Sequence, residues 1–246
     1  MTATPSSQIA SGLRGLMREY ETIAHNLANS STSGYKRKIN SFSAELMRQQ
    51  RIGQEQSLLA GQIKAEETID FSQGALTHTG RSLDVALEGQ GFIALETPEG
   101  TLYTRNGSLT VNILGQLVDS GGRLVAGQNG PIVIPRTVGE SDIQIDPDGS
   151  VRAGEMQLGK IKIVEFDGSL SRMIPAGHGC FKAPPDLTPV AAPKTRIHQG
   201  CQEHSNVQPM QELTGLMSLS RLYESNINVL RKRSENNNSL LDVAKA

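Results

Sequence analysis

The sequence predicts an α+β fold in which N- and C-terminal helices form a coiled coil or helical bundle and a central antiparallel all-β domain lies between them. Apolar residues recur at intervals of three and four near both ends of the chain. Between them, short β-prone runs alternate with turns rich in glycine and proline. We therefore divide the 246 residues into an N-terminal helical domain with its linker (1–64), a β domain (65–200) and a C-terminal helical domain (201–246).

The N-terminal helix is predicted to begin near Ser6 and to end at Asn26–Asn29. Its apolar positions are four and three residues apart, which is typical of the a and d positions of a coiled coil. These positions are Ile9, Leu13, Leu16, Tyr20, Ile23 and Leu27. Asn, Ser, Thr and Gly residues follow and compete for backbone hydrogen bonds, so the helix should end there. A second short helix is predicted over Phe42–Arg51.

The central domain consists of short runs bounded by turn signals such as Asn106-Gly107 and Asp148-Gly149. The predicted strands are Leu83–Leu87, Phe92–Glu96, Thr101–Arg105, Ser108–Val111, Gln116–Val118, Arg123–Val125, Ile132–Ile134, Asp142–Ile145 and Lys160–Phe166. In the last strand, Ile161 and Ile163 alternate with Val164 and Phe166. Strands at this spacing favour an antiparallel barrel or sandwich. The four prolines of Ala183–Pro193 predict an extended connector.

The C-terminal helix repeats the helical spacing of the N-terminal one. Its main stripe comprises Leu213, Leu216, Ser220, Tyr223, Ile227, Leu230, Ser234, Asn237 and Leu241, and a second stripe comprises Leu219, Leu222 and Val229. A helix that is apolar over so wide an arc needs cover on more than one side. Three of the main-stripe positions are polar, so this helix should be marginal alone.

These stripes suggest an assembling protein. A single pair of helices leaves one flank of each helix in water, and burial of apolar surface contributes roughly 25 cal/mol per Å². Contacts between copies that run head to tail without closing into a ring produce a helical polymer. The alternative from pattern alone is a monomer that packs both helices against its own β domain.

Composition and charge exclude several functional classes. The net charge is −1, so no overall field attracts the chain to nucleic acid. No apolar run reaches ~18 residues, which argues against membrane insertion. The first residues lack the basic start and apolar stretch of a cleavable signal peptide, which predicts cytoplasm or export by a route that does not read such a signal.

Three segments carry specific sequence motifs. The first is His25-Asn-Leu-Ala-Asn-Ser-Ser-Thr-Ser-Gly-Tyr-Lys-Arg37. The second runs from Ser82-Leu-Asp-Val-Ala-Leu-Glu-Gly-Gln-Gly-Phe-Ile93 through Tyr103-Thr-Arg-Asn-Gly-Ser108 and Gly115-Gln-Leu-Val118 to Gly130-Pro-Ile-Val-Ile-Pro135. The third comprises Ser205-Asn-Val-Gln-Pro209 and the helix from Glu212 to Asn226. Together they cover roughly three-fifths of the chain, and they resemble the flagellar axial proteins, the basal-body rod proteins in particular.

The resemblance implies a structural subunit of the rod without enzymatic activity or cofactor. Thr77–Phe92 and Asn129–Pro135 look most like the proximal rod protein, with the distal rod protein next. The implied partners are homologous rod subunits, other axial flagellar proteins and copies of the chain itself, with no nucleic acid and no membrane insertion. The implied location is the periplasmic rod of the basal body, reached by type III export without a cleavable signal.

The assembly residues implied by this family lie on both helices and at the junction after the first. The helix set is Leu13, Leu16, Tyr20, Ile23, Leu27, Leu216, Tyr223, Ile227 and Leu230, and the junction set is Asn26, Asn29, Gly34 and Tyr35. Asn29 should end the helix, and Gly34 allows a turn with positive φ. We expect Tyr35 to fill a groove of a neighbouring subunit while Lys36 and Arg37 stay in solvent.

The strongest sign of chemistry is a group of His and Cys residues within 27 positions: His178, Cys180, His198, Cys201 and His204. They could hold zinc, although their spacing matches no compact zinc motif. They could also contain a Cys180–Cys201 disulfide or a Cys-His nucleophile, or simply two free thiols, the option that we favour. The alternative function is therefore a binding module or hydrolase that uses the β domain and this His/Cys cluster.

Three other motifs have structural explanations that we prefer. Lys36-Arg37-Lys38 could bind nucleic acid, but a solvated face or a charge contact between subunits fits the near-zero net charge better. Asp146-Pro-Asp148-Gly149 lacks the later acidic ligands of a calcium loop, which favours a turn. Gly89-Gln-Gly91 is too short to bind phosphate, and we predict a hairpin turn that places Phe92 in the β core.

Overall fold

The computed structural model describes residues 5–40, 67–168 and 170–243 and contains two compact units. The helical unit holds residues 5–28, 38–40, 67–68 and 208–243 of this range. The β unit holds residues 29–37 and 69–207, apart from residue 169. The helix predicted over Phe42–Arg51 lies outside the described residues.

Over its described residues, the helical unit contains two helices, α1 (Pro5–Ala28) and α2 (Pro209–Val243). Pro209 occupies the first position of α2, where its fixed φ suits a helix and its missing N–H is not needed. A short two-stranded sheet pairs β1 (Lys38–Asn40) with β2 (Glu67–Ile69), whose last residue belongs to the β unit. The prediction of a helix at each end is confirmed.

The β unit contains sixteen further strands. They are β3 (Leu76–His78), β4 (Val85–Glu88), β5 (Phe92–Thr97), β6 (Gly100–Thr104), β7 (Leu109–Val111), β8 (Leu117–Asp119), β9 (Leu124–Val125), β10 (Ile143–Ile145), β11 (Ser150–Ala153), β12 (Met156–Lys160), β13 (Ile163–Phe166), β14 (Ile174–Gly177), β15 (Cys180–Lys182), β16 (Pro189–Ala191), β17 (Arg196–Gln199) and β18 (Cys201–Glu203). Short 3-10 helices occupy Glu140–Asp142 and Leu170–Arg172.

The largest sheet has nine strands, in the order β14-β15-β6-β5-β9-β8-β7, with β13 pairing to both β5 and β16. A three-stranded sheet has the order β10-β11-β12, and two-stranded sheets pair β17 with β4 and β18 with β3. The strand pairs of these sheets are antiparallel. The prediction of a central antiparallel β domain is therefore confirmed.

The central strand β5 contributes to two hydrophobic cores, one on each of its faces. Ile93 and Leu95 belong to the larger core, whereas Phe92 and Ala94 belong to the smaller one. Successive side chains of a strand point to opposite faces, so a strand buried on both sides is apolar throughout. Rings from other strands surround Phe92, which makes edge contacts with Phe166 and Phe181 at 5.8 and 6.3 Å between ring centroids.

Two predicted strands differ from the structure for identifiable reasons. Ile132–Ile134 forms no ladder. Val133 makes an isolated bridge to Gln116, because the N–H of Gly115, which would extend the pairing, donates to the carbonyl of Asn112 instead. The run Lys160–Phe166 is divided between β12 and β13. Ile161, which lies between the two strands, donates its N–H to the carbonyl of Gly149 instead of continuing either strand.

Two connections were also predicted wrongly. The segment Ala183–Pro193 is not only a connector, since it contains β16, which pairs with β13 through a register that places Val190 opposite Glu165. Gly89-Gln-Gly91 is not a hairpin turn, because β4 pairs with β17 and the next strand, β5, pairs with β6, β9 and β13. Phe92 is nevertheless fully buried, as predicted.

Candidate assembly site

The two helices of the helical unit meet along a short apolar seam. Leu16 and Ile23 of α1 are only 3% and 6% exposed, and Leu219 of α2 is 7% exposed. Leu13 and Leu216 pack against them and are partly buried. Burial of a Leu or Ile side chain contributes roughly 1.5–3 kcal/mol, so the three buried side chains of this seam stabilise the helix pair.

Several predicted assembly residues lie outside this seam. Tyr20 and Tyr223 are 48% and 39% exposed. Leu27, Ile227 and Leu230 are partly buried. The helix pair thus covers only part of its apolar surface.

The exposed Tyr20 and Tyr223 lie in a groove along one flank of the helix pair. The groove has a volume of about 440 Å³ and is lined by Leu16, Met17, Tyr20, Leu219, Ser220, Tyr223 and Glu224. Other large apolar side chains exposed on α2 are Met210, Leu213, Met217, Leu222 and Val229. Contiguous apolar surface of this kind marks interaction sites in soluble proteins.

Leu219 is the seam residue that the sequence argument missed. It belongs to the second stripe of α2, whereas Tyr223 of the main stripe is exposed. The signal was present, because a wide apolar arc leaves open which of its edges faces the partner helix. Two acidic side chains, Glu19 and Glu212, are also buried in this unit, at 6% and 2% exposure, and the pattern gave no indication of either.

Asn26 connects α1 to β1 within the helical unit. Its side-chain Nδ2 donates to the carbonyl oxygen of Lys38 over 2.8 Å, and its Oδ1 accepts from the N–H of Lys38 over 2.9 Å. The side chain is almost fully buried. Both polar groups of a buried amide are therefore satisfied by one residue of β1, as burial requires.

The junction segment, which we define as residues 29–37, lies in the β unit. The carbonyl of Asn29 accepts from the N–H of Thr32 over 3.1 Å, which turns the chain after α1. Gly34 has a φ of +69° and donates its N–H to the carbonyl of Glu203 over 2.8 Å. A Cβ at Gly34 would lie 2.5 Å from the backbone N of Asn106, so no larger residue fits without displacement. Tyr35 is buried, so its ring is not presented to a neighbouring subunit as predicted.

Lys36 corrects a further prediction, because it is not in solvent. Its Nζ lies 2.6 Å from Oε1 of Glu203 and donates to the carbonyl of Ser72 over 2.7 Å, and both side chains of this ion pair are fully buried. Burial lowers the pKa of Lys36, and the Glu203 carboxylate opposes this by favouring the charged ammonium. Lys36-Arg37-Lys38 is therefore not a continuous solvated face.

A second buried cation completes this cluster. Arg105 places a guanidinium nitrogen 3.6 Å from Oε2 of Glu203, and its guanidinium carbon lies 5.3 Å from the ring centroid of Phe92. It also donates to the carbonyl of Gly89. Lys36 and Arg105 come from two of the three segments that carry the family resemblance, and Glu203 precedes the third. Lys36 and Arg105 are far apart in the sequence, yet both contact the carboxylate of Glu203.

The His and Cys residues do not form a site in the structure. Both thiols are free, so Cys180 and Cys201 are not bonded to each other. Cys180 is buried, which raises the pKa of its thiol and disfavours the nucleophilic thiolate. Cys201 lies 3.7 Å from Nδ1 of His78, and His198 pairs with Glu88 at 2.7 Å. Among the described residues, no three His, Cys, Asp or Glu side chains are placed to hold a metal ion.

The predicted turn at Asp146-Pro-Asp148-Gly149 is confirmed. The N–H of Gly149 donates to the carbonyl of Asp146 over 2.9 Å, and the turn joins β10 to β11. Asp148 accepts from the N–H of Ser150 and pairs with Lys160 at 2.7 Å.

Neither helix, over its described length, has a stretch apolar enough to cross a lipid bilayer.

Two family models match the chain. Residues 86–153 match the flagellar hook protein FlgE/F/G D1 domain, and residues 198–243 match the flagellar basal body rod FlgEFG protein C-terminal domain. The first match covers β5 to β11, and the second begins within β17 and extends through α2.

Curated relatives match over nearly the whole length. The flagellar basal-body rod protein FlgF of Caulobacter vibrioides is 31% identical over 92% of this chain and 92% of its own length. FlgF of Salmonella typhimurium is 29% identical over 93% of this chain and 94% of its own. The flagellar basal-body rod protein FlgG of Caulobacter vibrioides is 32% identical over 90% of this chain and 92% of its own.

Proposed function

Because this chain belongs to the flagellar basal-body rod protein family, we propose that it assembles into the rod through the apolar side chains that its terminal helices leave uncovered. The chain is a structural subunit of the bacterial flagellar basal-body rod, and it belongs in the basal body of the flagellum. The finer proposal concerns which surface makes the contact, with which partners and in which part of the rod.

One observation carries the proposal: Tyr20 and Tyr223 line an open apolar groove on the helix pair. A tyrosine offers a large apolar ring with a polar tip, which is why tyrosines are enriched at protein interfaces. Uncovered apolar surface in a subunit that works inside a polymer is most simply explained by burial against neighbours. The terminal helices would then form a coiled coil or bundle with those of other subunits.

The partners of this surface are homologous rod subunits, other axial flagellar proteins and further copies of the chain. The predicted division assigns assembly to residues 1–64 and 201–246 and leaves residues 65–200 as a β domain outside the contact. Within the rod we favour the proximal segment, on the resemblance of Thr77–Phe92 and Asn129–Pro135, and the relatives named both FlgF and FlgG are compatible with either segment. Export to the periplasm would proceed without a cleavable signal.

The proposed role involves no catalysis and no cofactor. Relatives named as rod proteins support this view, and so do the buried Cys180 and the separate pairings of Cys201 and His198. The alternative of a hydrolase or binding module would require the two cysteines. Replacement of both by Ser should leave motility intact, and loss of motility with normal assembly would favour that alternative.

The central test is a complementation experiment in a strain that lacks the gene. Deletion should abolish motility and leave the rod incomplete, and the wild-type chain should restore both. The double variant Tyr20→Ala/Tyr223→Ala should be depleted at least about tenfold from isolated basal bodies, because two interface anchors together are worth a few kcal/mol. Met156→Ala is the control, since Met156 is a large apolar residue at least as exposed as either tyrosine but lies in the β unit.

The controls make the outcome decisive. The double variant must show the same helical content and unfolding midpoint as the wild type before its incorporation is measured. Equal amounts of the double variant and of Met156→Ala in purified basal bodies would rule out the groove as the assembly surface, while leaving the family assignment intact.

A further inference from the structure

The chain passes between its two units at four points. These crossings lie between residues 28 and 29, 37 and 38, 68 and 69, and 207 and 208. Every covalent link from the helical unit to the β unit therefore runs through one of four short stretches of backbone. Mechanical load on the helices must therefore pass through these stretches, and the bonds that hold them inside the β unit bear that load.

Asn206 connects the β-unit side of three crossings. Its Oδ1 accepts from the N–H of Arg37 over 2.7 Å, and its Nδ2 donates to the carbonyls of Asp70 and Ser72 over 2.8 and 3.1 Å. The N–H of Asp70 in turn donates to the carbonyl of Arg37 over 2.8 Å. Arg37, Asp70 and Asn206 each lie within two residues of a crossing.

The side chain of Asn206 is suited to this position by its chemistry. A primary amide offers an acceptor and two donors on one short, planar group. Aspartate of the same shape would keep the acceptor for Arg37 but would present a charge to the carbonyls of Asp70 and Ser72 and donate nothing to them. No hydrogen-bonding side chain of similar size and neutral charge, other than Asn, supplies both functions on the same geometry.

A buried ion pair and two hydrogen bonds also hold the junction segment. Lys36 and Glu203 pair at 2.6 Å, Gly34 donates its N–H to the carbonyl of Glu203, and Ser33 donates its hydroxyl to Oε1 of Gln202 over 2.7 Å. The junction segment is thus joined to the residues that lead into α2 by side-chain and backbone bonds. All of these bonds lie within the β unit.

We propose that Asn206, with Lys36 and Glu203, forms a crossing clamp, which holds three of the four chain crossings together and passes mechanical load from the terminal helices to the β unit. This inference depends on the proposed function, because only a rod subunit that assembles through its helices carries load at the crossings. Asn206 is in this sense a positioning residue. Its role is to fix the backbone through which force arrives.

The first test measures amide hydrogen exchange on the purified full-length chain. In Asn206→Ala, the amides of Arg37 and Asp70 should exchange about tenfold faster, which corresponds to one or two lost hydrogen bonds. The amides of Ile93 and Leu95 in the β core should be unchanged. Asn206→Asp provides a second variant if the alanine variant does not fold. It keeps the acceptor for Arg37 and loses the donor to Asp70 and Ser72, so the amide of Asp70 should exchange faster while that of Arg37 stays protected.

A matched control distinguishes the clamp from any other loss of an asparagine. The side chain of Asn112 makes three hydrogen bonds in the β unit, accepting from the N–H groups of Leu114 and Gln116 and donating to Oε1 of Gln116. It lies far from the crossings in sequence. Asn112→Ala should accelerate exchange near the β7–β8 turn and leave Arg37 and Asp70 protected. Unchanged exchange at Arg37 and Asp70 in the Asn206 variants would overturn the clamp.

The second test is made in cells and concerns load. Asn206→Ala chains should be present in isolated basal bodies at the wild-type level, and swimming should fall more steeply with medium viscosity than for Asn112→Ala. Equal viscosity dependence of the two variants would overturn the inference. Absence of Asn206→Ala from basal bodies would also overturn it, because Asn206 would then be needed for assembly instead. Neither result depends on whether the Tyr20 and Tyr223 groove makes the subunit contact.

Discussion

The Nζ atom of Lys36 lies 2.6 Å from the Oε1 atom of Glu203, although the two residues are 167 positions apart in the chain. The same Oε1 accepts the N–H of Gly74 over 3.0 Å, while Oε2 faces Arg105 at 3.6 Å. Two cations thus share one buried carboxylate. A buried pair of this kind contributes little net stability over apolar residues, but the removal of one partner leaves a charge without compensation.

We expect Glu203→Gln to destabilise the β unit strongly. The variant keeps the shape of the side chain but leaves Lys36 and Arg105 buried without a counter-charge, a loss that costs about 3–5 kcal/mol in comparable sites. Denaturant titration of the full chain would measure the change in the free energy of unfolding.

The matched control is Asp186→Asn, which removes the carboxylate of the solvent-exposed Arg172–Asp186 pair. Its denaturation midpoint should stay at the wild-type value, because exposed pairs are screened by water and salt. A Glu203→Gln midpoint equal to that of the control would mean that the buried cluster is not needed for folding.

Gly34→Ala should destabilise the folded chain by more than the positive φ at this position alone explains. A residue with a Cβ at positive φ costs roughly 1–2 kcal/mol, and here the Cβ would also lie 2.5 Å from the backbone N of Asn106. Gly122 has a similar φ of +76° with nothing within 4 Å, so Gly122→Ala isolates the cost of the angle. We expect the Gly34 variant to unfold at a clearly lower temperature than the Gly122 variant. Equal melting temperatures would show that Asn106 moves aside freely.

Leu219→Ala should destabilise the helix pair, whereas Leu222→Ala should not. Leu219 is buried in the seam with Leu16 and Ile23, and Leu222 is 39% exposed on the same helix. Truncation of a buried leucine costs about 2–5 kcal/mol, and surface changes usually stay within about 0.5 kcal/mol. Thermal unfolding followed by far-UV circular dichroism would measure both. If Leu222→Ala proved the more damaging variant, α2 would have to face α1 through Leu222 and not through Leu219.

Acid should weaken the β10–β11 turn through Asp148. The Lys160 ammonium, followed by the backbone N–H of Ser150, lowers the pKa of Asp148 to about 2 from an ordinary 3.8. A carboxylate with a lowered pKa in the folded state adds stability above its unfolded value, and that stability is lost as the pH falls from about 4 to about 2. Because the side chain is largely exposed, the contribution is below about 1 kcal/mol.

The measurement compares unfolding free energies of the wild type and of Asp148→Asn across pH 2 to 7. Asp148→Asn should be slightly less stable at neutral pH and should lose less stability on acidification, so that the two curves converge near pH 2. Parallel curves over the whole range would mean that the Lys160 contact does not form in solution.

Local pattern was sufficient to predict the elements whose cause is local. The turn at Asp148-Gly149 and the strand at Phe92–Thr97 follow from glycine chemistry and from β-branched or aromatic runs. Strand β16 was missed because Pro189 discouraged a strand prediction, although an edge strand tolerates proline where no hydrogen bond is required.

The candidate site was only partly predictable, because its main determinants are long-range. The helical spacing identified Leu16 and Ile23 but could not decide between Leu219 and Tyr223 as the seam residue of α2. Lys36 was expected in solvent because lysine is rarely buried without a partner. Its partner Glu203 comes near the other end of the chain, and no local rule joins the two.

The position of the junction segment has a consequence for the order of folding. Residues 29–37 are synthesised among the first, yet their hydrogen-bond and ion-pair partners at Gln202, Glu203 and Asn206 are among the last residues before α2. The junction segment therefore cannot complete its contacts until the chain has been made as far as Asn206, and such long-range contacts slow folding.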